Sequence, residues 1–527
     1  MFAKTFVAIA ALALLAIGYT QANSPNTDTA VQPSFGTAGL DTFVTQMMKD
    51  YDVPGVGLAI VENGEISYLR GYGVRDVTKD APVTPDTEFP IGSVTKSFTA
   101  LDVMVLVDEG LVDLDAPVTV YIPEFKLSNP AYTKAVTVRN LLTHTTGLIR
   151  TDASTFDLNV TTADIIKAAA TTPLVGKPGE TFVYSNVNAI LAGEVVRRVS
   201  GESWETFTRE RVLKPLGMSA ATLTVSALEK QNNIATPSIL NVRQGGLETT
   251  DYLTLGADAP AGAINASAGA MARYVLFQVG DGAPLLSQKS LNEMHKGEVA
   301  APDFNLPGIA AAQARAAAKR PEDIAPSLVT DEQYGFFWAT ENFLGETLVQ
   351  HGGNVTGGTA NVTLLPKQRS GVVILANADS ANFFMEAVRL HVAALLLGRS
   401  QPDINATLQA QLKVVGQDNA TREANLEAVR TYRVKPGELS ALANTYESLA
   451  DPKPTRVNVV NERELKLESG LQGIRFSVAL LPIGDDRFMA ADDPLVGAVV
   501  RFAGSAKERT VELETVTGAV PIAALKK

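Results

Sequence analysis

Two groups of strand-patterned segments lie at opposite ends of a long helical region, and any fold of this chain has to bring them together. The first, GVGLAIVENGEISYLRGYG (residues 55–73), is a pair of apolar runs meeting at Asn63-Gly64, a dipeptide suited to a type I′ hairpin turn. The second comprises YGFFWAT (Tyr334 to Thr340), LVQHGG (Leu348 to Gly353), ANVTLLP (Ala360 to Pro366) and GVVILAN (Gly371 to Asn377). The last two are joined by a polar loop, Lys367 to Ser370, and an apolar helix, Met385 to Gly398, follows. From Leu111 to about Met271 the pattern is mainly helical. One antiparallel sheet built from distant segments, with helices between them, predicts an α+β body over residues 34–398.

Residues 399–435 are polar and helix-compatible, and read as a linker. Beyond them the period changes to two. TRVNVVN, ELKLES, IRFSVALLPI, RFMAA, AVVRFA and RTVELETV are short alternating runs broken by Gly, Asp and Pro. Residues 436–527 are therefore expected to form a small antiparallel barrel or sandwich. An Ala-rich stretch, residues 308–323, reads as an exposed helix inserted before the late strands.

The first 22 residues have the layout of a secretory signal: Lys4, an apolar run from Phe6 to Ile17, and a small-residue cleavage site at Thr20-Gln21-Ala22. The apolar run is too short for a bilayer, which needs about 20 residues, and no later stretch is apolar for long enough to span one. A periplasmic or secreted protein is expected. The chain has no cysteine, which excludes disulfides, thiolate nucleophiles and Cys-ligated metals. Its four histidines lack ligand spacing, so neither a metal nor any other cofactor is expected. A net charge of −12 argues against nucleic acid as a partner.

Three short motifs could carry chemistry. Ser93-Val94-Thr95-Lys96 follows Gly92 at the start of an apolar helix ending near Gly110, so Lys96 shares a face with Ser93. A desolvated amine beside a hydroxyl is a general base; the same four residues could equally be a helix cap with a snorkelling lysine. Tyr184-Ser185-Asn186 precedes a second apolar helix and is the chain's single Y-x-N. A tyrosine can share proton transfer with a lysine, and an asparagine amide both donates and accepts, but a turn plus cap fits too. His351-Gly352-Gly353 lies on a predicted strand, where two glycines would let a ligand approach the backbone. A core histidine beside a turn is the alternative.

In the order S-x-x-K, Y-x-N, H-x-G, these motifs resemble the serine β-lactamase and penicillin-recognising hydrolase family, on its class C-like branch. VRNLLTHTTGL (residues 138–148) and PAGAINASAGAMARYVLFQVGDG (residues 260–282) extend the resemblance, which covers roughly Gly39 to Gly398. It implies the two-lobed β-lactamase/transpeptidase-like fold, with a sheet flanked by helices and an all-helical lobe. It also implies that Ser93 is acylated and that Lys96 and Tyr184 move its proton, a contribution of about 10²–10⁴ in rate. The backbone N–H groups of Ser93 and Asn354 would form an oxyanion hole beside Gly353, each worth about 10²–10³. Asn186 would bind the substrate amide. The strand-rich C-terminal region resembles the barrel appended to some relatives.

His351 stands where the lactamases have the K-T-G lysine. That departure fits the relatives that act as esterases, D-aminopeptidases or D-Ala-D-Ala carboxypeptidases better than it fits an efficient β-lactamase. The substrate implied is a small ester, peptide or β-lactam. If His351 must be neutral, activity is expected to rise through roughly pH 6 to 7. A β-lactamase, and a weakly catalytic binding or sensor protein, are the alternatives. His144 reads as structural.

Overall fold

The computed structural model describes residues 34, 36–152, 158–302, 327–400, 402–414, 419–448, 454–471, 474–491, 498–505, 508–515 and 518–525. The expected signal segment and the Ala-rich stretch at 308–323 lie outside them.

The larger body is built on an eight-stranded antiparallel sheet, and its central strands come from both ends of that body. The hairpin β1 (Gly55–Glu62) and β2 (Glu65–Gly73) turns at Asn63 and Gly64, both at positive φ. Shorter pieces follow: β3 (Glu88–Pro90), β4 (Ser238–Leu240), β5 (Leu247–Thr249), β6 (Asn265–Ser267) and β7 (Val299–Ala300). The late strands are β8 (Thr330–Tyr334), β9 (Ala339–Phe343), β10 (Glu346–Val355), β11 (Gly358–Leu365) and β12 (Ser370–Ala376). The sheet order is β2-β1-β12-β11-β10-β9-β8-β7, so β1 pairs with β12, Val56 facing Ala376.

Both faces of this sheet are covered, which explains why its central strands read as continuous apolar runs. Ala59 and Val61 of β1 and Val373 and Leu375 of β12 enter the core shared with the helical lobe. Their alternates, Val56, Leu58 and Ile60 with Val372 and Ile374, enter a second core. That second core is closed by helix α1 (Thr37–Asp50) and a helix near the end of the body (Asn382–Leu396). Between sheet and lobe runs α2 (Thr95–Asp108), buried from Thr95 through Leu106, as a helix that is apolar on most sides has to be.

The expected strand Tyr334 to Thr340 is two strands with a reversal between them. Gly335 N–H bonds Trp338 O (2.8 Å), and Phe337, at φ +52°, donates its N–H to Leu142 O (2.9 Å). The aromatic run misled because Phe336, Phe337 and Trp338 are buried as inserted wedges, not as alternating strand residues. β9 pairs with β10 only as far as Gln350, leaving the edge of β10 from His351 to Val355 without a β9 neighbour.

The C-terminal region is a closed eight-stranded barrel. Its strands are β13 (Asn444–Ser448), β14 (Thr455–Asn461), β15 (Glu464–Leu471), β16 (Ile474–Gly484), β17 (Arg487–Ala490), β18 (Val499–Ala503), β19 (Thr510–Thr515) and β20 (Gly518–Leu525). β13 and β20 close it and escaped the pattern search. β13 buries one apolar side chain, Tyr446, and β20 carries Pro521.

The stretch expected to act as a linker is folded into both neighbours. Ile404 and Leu408 of a helix over Ile404–Val414 complete the second core. Leu426 and Val429, on a helix over Asn419–Thr431, pack with Val242 of the body and Ala479, Leu481 and Met489 of the barrel. Among the described residues no helix is long and apolar enough to cross a membrane.

Candidate active site

Ser93 occupies a single 3₁₀ turn, Gly92–Val94, immediately ahead of α2. Two glycines let this turn lie directly against β10. A Cβ at Gly92, whose φ is +51°, would stand 2.8 Å from Asn354 N, and one at Gly353 would stand 2.0 Å from Ile91 O and 2.9 Å from Ser93 N. The backbones bearing the Ser93 and Asn354 N–H groups are therefore adjacent, as a shared oxyanion site would need.

One turn on, Lys96 is completely buried. Its Nζ lies 2.9 Å from Ser93 Oγ, 2.8 Å from Asn186 Oδ1 and 3.0 Å from Ala261 O. The Tyr184 ring centroid is 4.9 Å from the same nitrogen. Four of the residues singled out in the sequence thus meet around one amine, and the Ala261 carbonyl comes from the P-A-G segment noted beside them.

The Y-S-N turn is held by residues that the sequence did not mark. Asp152, 4% exposed, accepts from Ser185 Oγ (2.8 Å) and Asn186 N (2.6 Å) through Oδ1, and from Arg150 Nε (2.7 Å) through Oδ2. The Arg150 guanidinium in turn sits 5.6 Å from the Tyr184 ring centroid. Beneath, buried His144 accepts from Asn188 Nδ2 (3.0 Å) at Nδ1, with its ring 4.6 Å from that of Tyr184. Nothing in LIRTDAS distinguishes Asp152 from a surface acid, since its role depends on a chain reversal that brings it to the helix Asn186–Ser200.

His351 lies at the site but is spoken for. Its Nδ1 donates to Gly352 O (2.6 Å), so Nε2 accepts from the Tyr334 hydroxyl (2.9 Å). The ring is 1% exposed, and burial, reinforced by the Lys96 charge, pulls its pKa down to about 3. This corrects the expected rise in activity between pH 6 and 7, because His351 is already neutral well below that window. It also leaves no cation at the K-T-G position to hold a substrate carboxylate.

A cleft of about 520 Å³ opens over these groups, lined by Ser93, Tyr184, Asn186, His351, Gly352 and Asn354 among others. Among the described residues none of the barrel lines it. Among the described residues no group of three or more His, Asp or Glu is placed to hold a metal ion.

The sequence model of the beta-lactamase family matches residues 40–397. The chain belongs to the beta-lactamase family. Protein flp of Staphylococcus aureus (strain MRSA252) is 28% identical over 350 residues, which are 65% of this chain and 63% of that protein. Unguisins hydrolase ungD of Aspergillus violaceofuscus is 26% identical over 359 residues, 65% of this chain and 61% of its own length. The chain thus covers under two thirds of these family relatives. Among solved structures, the octameric penicillin-binding protein homologue from Pyrococcus abyssi shares the fold with a TM-score of 0.60 at 24% identity, over 93% of this chain and 100% of its own. SurE does so with a TM-score of 0.55 at 20% identity, over 92% and 99%.

Proposed function

We propose that this member of the family is an exported serine hydrolase that cleaves a small ester or amide through an acyl-enzyme on Ser93. The observation that carries the reading is the Lys96 amine, buried and held within hydrogen-bond reach of Ser93 Oγ. In its neutral form the amine has two hydrogens, for which Asn186 Oδ1 and Ala261 O are the acceptors, and its lone pair is left for the Ser93 hydroxyl proton.

Ser93 Oγ then bonds to the carbonyl carbon while its proton passes to Lys96. Asn354 N–H and Ser93 N–H receive the developing oxyanion. As the carbon–oxygen or carbon–nitrogen bond breaks, the proton moves through Lys96 and Tyr184 to the leaving group. Water repeats the sequence in reverse and releases the acid. Asn186, with its oxygen on Lys96, offers its amide N–H₂ to the substrate.

Esterase or D-amino peptidase chemistry suits a cleft without a cation at the K-T-G position better than β-lactam hydrolysis does. Turnover of p-nitrophenyl esters is expected to exceed that of nitrocefin. A fluorophosphonate probe should label Ser93, as read by peptide mass spectrometry. Labelling elsewhere, or undiminished ester turnover by Ser93→Ala, overturns the reading. Export is tested separately by N-terminal sequencing of the protein recovered outside the cytoplasm, with cleavage expected after Ala22.

A further inference from the structure

The cleft does not stop at the catalytic groups. Besides Gly352, it is lined by Asn382, Met385 and Glu386 of the helix Asn382–Leu396. Asn382 and Glu386 are four residues apart and so share one helix face.

Each carries an oxygen that the fold leaves unused. Asn382 Nδ2 donates to Asp379 O (3.3 Å), and no hydrogen bond among the described residues engages its Oδ1. Glu386 is 5% exposed; its Oε2 takes Arg389 Nε (2.7 Å), while Oε1 has no hydrogen-bond partner among the described residues. The neighbouring amides are by contrast occupied with each other. Asn361 Nδ2 donates to Gln350 Oε1 (3.2 Å), and Asn361 Oδ1 accepts from Thr363 (2.7 Å).

We propose that this end of the cleft is a subsite for a primary ammonium group of the substrate, received by Glu386 Oε1 and Asn382 Oδ1. Two unused acceptor oxygens favour a group that donates hydrogen bonds. Arg389 is wholly buried between two acids, Glu341 (2.5 Å) and Glu386 (2.5 Å), and the Glu386 ion pair is made through Oε2, which leaves Oε1 to the cleft. Desolvation pushes the Glu386 carboxyl up against the pull of Arg389. An ammonium at Oε1 supplies N–H donors and a positive charge that offsets the desolvation of this carboxylate. A carboxylate there would meet acceptors and an acid.

Residue 352 lines the same cleft and lacks a side chain. A Cβ at Gly352 would meet nothing closer than Ala360 O and Asn361 Nδ2, both at 3.9 Å, so a larger residue fits and narrows the cleft on that side. The proposal rests on the serine-hydrolase reading and narrows it, to esters or amides whose acyl or leaving group carries a free amine.

The test uses p-nitrophenyl ω-aminoacyl esters of graded length, each matched with the alkyl and ω-carboxyacyl ester of equal length. The full-length protein is expected to prefer the amine over the alkyl ester by at least about tenfold in kcat/KM at one chain length, and to disfavour the carboxylate. Glu386→Gln should lower that ratio about tenfold, and Gly352→Val should lower it without touching the ion pair. Calorimetric titration of the n-alkylamines reads the subsite without turnover. No amine preference at any length, or a ratio unchanged in both variants, overturns the subsite. If no ester is hydrolysed and Ser93 resists labelling, the hydrolase reading fails, and amine binding alone decides for or against the subsite.

Discussion

Neutralising Asp152 removes the anion on which Ser185 Oγ, Asn186 N and Arg150 Nε converge. Asp152→Asn keeps the shape and weakens each charge-assisted hydrogen bond, interactions worth about 1.5–3 kcal/mol when lost outright. Asn186 would then lose the anchor that fixes its amide on Lys96. We expect kcat/KM for a p-nitrophenyl ester to fall about tenfold to a hundredfold, with fluorophosphonate still reaching Ser93 because the serine and lysine share a rigid helix start. At His351 the expectation is a missing effect. With the ring held neutral down to about pH 3, it contributes no limb to the pH–rate profile between pH 5 and 8. His351→Gln should alter the rate while leaving the inflection points in place, which a kcat/KM profile of both proteins checks.

The two glycines of β10 look alike in sequence and differ in what they permit. Gly353 packs its α-carbon against Ile91 O and Ser93 N, so Gly353→Ala forces backbone apart from backbone. Overpacking of this kind costs about 1–3 kcal/mol, and here it falls on the two N–H groups assigned to the oxyanion. Gly353→Ala should lower Tm by several degrees and nearly abolish ester turnover, while Gly352→Ala should leave Tm close to that of the parent. Ser93, Lys96, Tyr184, Asn186 and the H-G-G motif stand out at the starts of apolar helices or on an apolar strand, but each also reads as a cap, a turn or a core residue, and only their order and the family resemblance assign them roles. Asp152, Arg150 and Tyr334 do not stand out, because what makes them matter is a neighbour remote in sequence. The strand errors have the same origin: Phe336, Phe337 and Trp338 follow the composition of a strand but pack on Arg139, His144 and Tyr274, which are remote in sequence. β13 and β20 carry too little alternation to be seen until the barrel closes around them.

Over the whole molecule, pH acts on stability from two sides. Burial holds His351 at about 3 and His295 and His391 at about 4, and keeps His144 well below its ordinary value. Unfolded, these rings titrate near pH ~6.5. Below that pH the unfolded chain binds protons that the folded one refuses, so stability present above ~6.5 is lost as pH falls toward 4. Glu88 on β3 has the opposite sign: burial, with Asp86 nearby, pushes it up to about 8, so its contribution is complete below ~4.5 and lost as pH rises through 8. Thermal unfolding from pH 4.5 to 9 should show a maximum near neutrality, and Glu88→Gln should flatten the alkaline side and steepen the acid one.

The pairing of β1 with β12 has a consequence in time. Val56 is made early and its partner Ala376 almost last in the larger body, with the helical lobe between them. The ribbon β1–β2 therefore waits on the ribosome with one edge open, and the sheet nucleates only after a long loop has closed, which makes folding slow. A chain that folds late stays threadable, as the export proposed above would require, until Ser93 and Asn354 have been brought side by side.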